Sequence, residues 1–471
     1  MKTIYSFLEK YNQEHLLRFY DELSDSQKKS LASQIESIDF EEFSSLTKAL
    51  VVTKESSKSN LEHLKPAPYY PLPENNGDEN LWKKMYNVGE ESLKKGELAA
   101  FVVAGGQGTR LGLDAPKGTF KVSPVKEKSL FQLFAEKILR AERKYNVSIP
   151  WLIMTSELNY SQTIEFFEKN NFFGLKKEDV IFFKQGKMPC CDTLGKIILE
   201  EKDSIAFAPD GHGGSLKAIC KSSALEKLKK RKIKYLSYFQ VDNPLINIVD
   251  CAFLGFHINA NSDLSSKMIP KRDALEKVGL FCKVNDKIKV LEYSDLPKKF
   301  QEQHDANGDL IHIAGSVAIH IFSLDFIENF AGANANFKMP FHRADKKIPF
   351  VDSNGNKVKP ESSNGVKFET FVFDALEFAK NPVIIEASRL EEFAPVKNAS
   401  GEDSPQTCKE AQIKQFAKWL ELSDSGIKLS GGMPSFDVEI SPLFAANKND
   451  FLENYSSIKN SLDVSKSFYL E

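Results

Sequence analysis

The chain has 471 residues, 41% hydrophobic and 27% charged, with 63 basic residues against 65 acidic ones for a net charge of −2. That length exceeds one simple core and predicts two or three domains. The charge balance argues against a dedicated nucleic-acid or membrane-surface binder, so any anion must be held by a local site.

The opening MKTIYSFLEKYNQEH lacks the apolar stretch of a signal peptide. Leu16, Leu17, Tyr20 and Leu23 fall at helical spacing, Ser24-Asp25-Ser26 offers a stop and a new N-cap, and Leu31, Ile35 and Ile38 mark a second amphipathic helix. Pro66, Pro68, Pro71 and Pro73 then predict a stiff, extended connector closing a helical N-terminal region, 1–95.

From Leu98 short apolar runs alternate with amphipathic stretches: LAAFVVAGG, SLFQLFAEKILRAERKY, IPWLIMTS, YSQTIEFFEKNN and KYLSYFQVDN. This alternation predicts an α/β domain over 96–397, a mostly parallel sheet flanked by helices. Ligands of such sheets bind beyond the carboxyl ends of the strands, where Asp242 and the glycine-rich segment after Val103 lie. Turn-forming residues around NASGEDSPQT mark a second boundary, and AQIKQFAKWLELS with FDVEIS predicts a small α+β segment over 398–471.

The longest apolar run, Leu98 to Ala104, is far short of the ~20 residues of a membrane span. The six cysteines include no Cys-x-x-Cys pair, and adjacent Cys190 and Cys191 read as packing residues. A reducing cytoplasm is the expected location.

The segment AGGQGTRLGLDAPKG, Ala104 to Gly118, holds five glycines beside Arg110 and Lys117. Glycine permits positive φ and lets backbone N–H groups approach an anion closely. The spacing misses the dinucleotide fingerprint, whose third glycine would fall on Leu111, and the Walker loop, since Lys117 precedes Gly118 and Thr119. The two cations make phosphate binding the favoured reading over a packing turn.

Gly-Gly-Gln-Gly-Thr-Arg-Leu-Gly followed by Pro116-Lys117-Gly118 resembles the signature of nucleotide-sugar pyrophosphorylases, and more narrowly of the UDP-N-acetylhexosamine pyrophosphorylase family. FFGLKKEDVIFFKQGKMP, YFQVDNPL, VLEYSDL, NGVKFETFVFDAL and FAPVKNASGEDSPQT carry the resemblance further along the chain. It implies a Rossmann-like fold of the nucleotide-diphospho-sugar transferase type and a reaction of UTP with a sugar 1-phosphate, giving UDP-sugar and pyrophosphate. In that chemistry the sugar phosphate, already an anion, attacks the α-phosphorus in line, so the protein positions and neutralises charge.

The resemblance assigns catalytic cations to Arg110, Lys117 and Lys397, with Lys367 as a further UTP contact. It places UTP against Val103, Ala104, Gly105, Gly106 and Gly211, and lets Gln185 offer donor and acceptor to the uracil edge. Asp242 is implied as the holder of Mg²⁺, which takes most of its ligands from phosphates and water. His212, Glu292 and Tyr293 are implied at the sugar.

The acetylhexosamine pattern carries Asn at His212, and Asn-Ala-Gly-Asn where this chain reads Ile313-Ala314-Gly315-Ser316. N-acetylglucosamine 1-phosphate is the first expectation. Glucose 1-phosphate or several sugar phosphates form the alternative, since Gly-His-Gly resembles enzymes of that kind. A non-catalytic nucleotide-sugar-binding regulator is a further reading, against which Arg110, Lys117, Asp242, Lys367 and Lys397 are all present.

Overall fold

The computed structural model describes residues 2–53, 63–333, 335 and 339–471. The chain divides into two compact units. One comprises the described residues of Met1–Glu62, Gln185–Lys217 and Lys338–Asp374; the other those of His63–Lys184, Ala218–Phe337 and Ala375–Glu471. Composition alone suggests cuts at 95 and 397, whereas packing draws three separated stretches of chain into each unit.

In the first unit, Ser24 caps the helix Asp25–Glu36 with a capping box completed by Gln27. Leu31 and Ile35 are buried with Leu8, Leu16, Phe43, Cys191, Val366 and Phe368 in one core. The expected single helix through Leu16–Leu23 is instead two 3-10 turns, Glu14–Leu17 and Tyr20–Glu22. Tertiary bonds override the helical spacing here: Gln13 exchanges hydrogen bonds with Gly195 and Ile197, and the His15 ring meets the Ile197 carbonyl at 2.7 Å.

The second unit is built on a ten-stranded sheet. Its strands include β1 (Lys65–Pro66), β2 (Leu98–Val103), β3 (Trp151–Thr155), β4 (Val180–Lys184), β5 (Tyr235–Gln240), β6 (Leu264–Pro270), β7 (Gly279–Val284), β8 (Lys287–Leu291), β9 (Ala314–Ser323) and β10 (Val383–Glu386). The order β5-β2-β3-β4 is parallel throughout, and buried Leu98–Val102 and Trp151–Thr155 give the near-continuous apolar runs of strands covered on both faces. Beyond β5 the sheet is mixed: β9 runs antiparallel to β5, β6 and β7, while β6 and β10 are parallel.

The proline-rich connector is extended as far as Leu72 and sheet-bound, with β1 paired to β7 and Tyr70 bridging Ile385, whereas Pro73 opens a 3-10 turn, Pro73–Asn75. The helix Glu79–Lys94, assigned by sequence to the N-terminal region, packs here against the helix Cys251–Asn259. At the C-terminus, Ser404 caps the helix Pro405–Leu422, whose Phe416, Trp419 and Leu420 share a core with Val438, Ile440 and Phe451. No described helix is long and apolar enough to cross a membrane.

Candidate active site

The parallel strands bring the glycine-rich segment and Asp242 together. β2 and β5 are in register to their last residues, Val103 opposite Gln240, and the Val241 N–H donates to the Val103 carbonyl at 3.2 Å. Asp242 therefore leaves the sheet beside the loop beginning at Ala104. Lys117 Nζ lies 3.5 Å from Asp242 Oδ2, with only 16% and 14% of the two side chains exposed. The Val396 N–H donates to the Asp242 carbonyl at 2.9 Å, fixing the backbone just before Lys397. Lys397 Nζ pairs with Asp403 Oδ2 at 3.3 Å. Arg110, in the 3-10 turn Thr109–Leu111, is exposed and pairs with no carboxylate among the described residues.

The loop is closed by the Gly108 N–H donating to Ala115 and the Lys117 N–H donating to Gly106. The N–H groups of Gly105, Gly106 and Gln107 meet no acceptor among the described residues. Positive φ explains little of this glycine content, since Gly112 alone adopts it between Ala104 and Gly118. A Cβ on Gly118 would sit 2.2 Å from the Phe131 ring, so that glycine serves packing. A Cβ on Gly106 would meet nothing within 4 Å. Neither packing nor backbone conformation demands glycine at Gly106, and what it leaves is room beside unpaired donors.

The first unit holds the remaining nucleotide candidates. Gln185 Nε2 donates to the Gly211 carbonyl at 2.6 Å and lies 3.3 Å from Asp210 Oδ1. Its amide nitrogen is thus engaged within the protein, and the expectation of Gln185 as equal donor and acceptor narrows to its amide oxygen. Lys367, on the strand Gly365–Glu369, pairs with Glu369 at 2.6 Å. The His212 ring stacks on Phe371 at 5.4 Å, and its Nδ1 accepts the Val372 N–H at 3.2 Å. Burial pushes this imidazole down to about 4, so it is neutral at pH 7 with its proton on Nε2.

Glu292 and Tyr293 follow β8, Glu292 half-buried and Tyr293 39% exposed. Ile313 precedes β9, its carbonyl accepting the Lys271 N–H at 2.9 Å, and Ser316 lies in β9 opposite Met268 and Gly279. No cluster of three or more His, Cys, Asp or Glu suited to a metal ion occurs among the described residues. Asp242 is the carboxylate that pairs with the loop's Lys117. Three participants escape sequence reasoning: Glu369 and Asp403, which neutralise two of the expected cations, and Asn159, whose amide reaches the loop carbonyls.

A profile of the UTP–glucose-1-phosphate uridylyltransferase family matches residues 40–403. The chain belongs to this family. UDP-N-acetylhexosamine pyrophosphorylase-like protein 1 of Xenopus tropicalis is 35% identical, the match covering 96% of this chain and 93% of that protein. The UDP-N-acetylglucosamine pyrophosphorylase of Saccharomyces cerevisiae is also 35% identical, over 90% and 89% of the two chains. The crystal structure of the uridine diphosphate N-acetylglucosamine pyrophosphorylase from Trypanosoma brucei superposes with a TM-score of 0.84 at 28% identity, covering 100% of this chain and 98% of that one. This uridylyltransferase-family chain therefore has an α/β fold shared along its full length with a pyrophosphorylase.

Proposed function

We propose that the protein transfers a uridylyl group from UTP to a sugar 1-phosphate, releasing pyrophosphate, with N-acetylglucosamine 1-phosphate as its substrate. The observation that carries this reading is the loop at the end of β2: unpaired N–H donors beside Gly106, with Lys117, Asp242 and Arg110 alongside. The choice of sugar rests on the names borne by the relatives at about 35% identity.

An oxygen of the sugar phosphate forms a new bond to the α-phosphorus of UTP as the bond from that phosphorus to the α,β-bridging oxygen breaks on the opposite side, the oxygen leaving with pyrophosphate. The nucleophile is already anionic, so the protein's work is alignment and neutralisation. Loop N–H groups bind phosphate oxygens, Arg110 and Lys117 offset the charge, and Lys397 and Lys367 exchange their carboxylate partners for phosphates. The Gln185 amide oxygen accepts from the uracil N3–H. Asp242 is the residue to hold Mg²⁺, which would neutralise phosphate charge when bound and needs few protein carboxylates. All six cysteines are free thiols, in keeping with a cytoplasmic setting.

Glucose 1-phosphate, or several sugar 1-phosphates, is the second reading, favoured by the departures from the acetylhexosamine pattern: a histidine at position 212 and an isoleucine at 313, each in place of an amide. Purified protein incubated with UTP, Mg²⁺ and each sugar 1-phosphate, with pyrophosphate release as readout, separates the two. Faster release with the N-acetylated sugar supports the reading, and release with neither sugar removes it in favour of a binding role.

A further inference from the structure

Asn159 stands at the N-cap of the helix Tyr160–Lys169, where asparagine ordinarily turns its side chain onto the helix's first N–H groups. Here it makes no such bond. Instead the fully buried amide reaches the glycine loop. Its Nδ2 donates to the Ala104 carbonyl at 2.9 Å and to the Gly106 carbonyl at 3.3 Å. Its Oδ1 accepts the Ser156 N–H at 2.9 Å and the Ser156 hydroxyl at 3.0 Å.

In a trans peptide the C=O and the following N–H point to opposite sides, and no peptide among the described residues is cis. Drawing the Ala104 and Gly106 carbonyls toward Asn159 therefore turns the N–H groups of Gly105 and Gln107 away from it. Both are donors without an acceptor among the described residues. We infer that Asn159 is a positioning residue that aims the Gly105 and Gln107 N–H donors at the phosphates of the nucleotide, an inference that rests on the uridylyltransferase reading. The helix forgoes a capping bond, and the amide instead orders the loop before any ligand arrives.

Asn159→Asp tests this in the full-length protein. Aspartate still accepts from Ser156 but sets an oxygen against the Ala104 and Gly106 carbonyls, which repels them. UTP titrated calorimetrically into wild type and variant, with the KM measured for each substrate, gives the readout. The expected result is a UTP affinity weakened about tenfold to a hundredfold, a sugar 1-phosphate KM changed less than about threefold, and an unaltered circular dichroism spectrum. A merely structural role would lower thermal stability and the active fraction while leaving the UTP affinity of the folded molecules unchanged, and that outcome overturns the inference. Should Asn159→Asp fail to fold, Ser156→Ala is measured in its place, since it removes one of the two bonds orienting the amide; an unchanged UTP affinity there also overturns it. Wild-type protein that does not bind UTP sinks the uridylyltransferase reading itself, and this inference falls with it.

Discussion

At the scale of single residues, the loop separates glycines kept for packing from one kept for space. Gly106→Ala adds a methyl group that touches no protein atom within 4 Å, at a position without positive φ. It is expected to keep the wild-type melting temperature while raising the KM for UTP at least about tenfold, because the methyl enters the space beside the donors. Gly118→Ala drives a Cβ to 2.2 Å from the Phe131 ring inside the core and is expected to show the reverse, a lower melting temperature in differential scanning calorimetry. Equal stability of the two variants would contradict that division of roles. Lys117→Ala removes a cation 3.5 Å from Asp242. Its kcat is expected to fall about two to three orders of magnitude, the usual cost of one aimed electrostatic group, with the fold retained. A near-normal kcat in steady-state pyrophosphate release would remove Lys117 from the chemistry.

Among elements, the turn after β5 and the segment around Glu392 are laced into one body. The Asn243 amide donates to the Glu392 carbonyl at 2.6 Å and accepts the Ala394 N–H at 3.1 Å. Lys137, on the helix Leu130–Tyr145, donates to the carbonyls of Pro244 and Ile246 at 2.6 and 2.7 Å. Lys267, 1% exposed, pairs with Asp250 at 2.6 Å and Glu392 at 2.5 Å. Lys267→Met strands two carboxylates in the interior and is expected to cost about 3–5 kcal/mol in urea unfolding. Adding Glu392→Gln removes one of the stranded charges and should recover part of the loss; a double variant less stable than Lys267→Met alone would refute the coupling.

This knot also marks where sequence reading ends. The β-loop-α alternation was legible because buried parallel strands are continuous apolar runs, and the loop because its glycines and cations are contiguous. Asn159, Asn243 and Lys267 carry no local pattern: each is defined by partners far along the chain. The same holds for Leu16–Leu23, where helical spacing was outweighed by the bonds that Gln13 and His15 make across some 180 residues.

Over the whole molecule, histidine burial makes stability fall as pH drops below neutrality. His15, His212, His257 and His312 are all held below the ordinary imidazole range, each chiefly by loss of solvent. His257 is 1% exposed, its ring nitrogens 2.8 Å from Ser265 Oγ and 3.0 Å from Ser323 Oγ, and burial pushes it down to about 3. A histidine depressed in the folded state takes up its proton more readily when unfolded. Its contribution is therefore fully present above about pH 6.5 and is lost as pH falls toward the folded value. The four act in the same direction, so their joint contribution to the urea midpoint is flat from about pH 7 upward and falls between about pH 6.5 and 4. His257 alone accounts for on the order of 3 kcal/mol by pH 4, at about 1.36 kcal/mol per unit. His257→Gln keeps hydrogen-bonding capacity but has no proton to gain, so its decline over that interval should be shallower than that of wild type. Parallel declines in the two proteins would show that His257 is not among the groups whose protonation destabilises the fold.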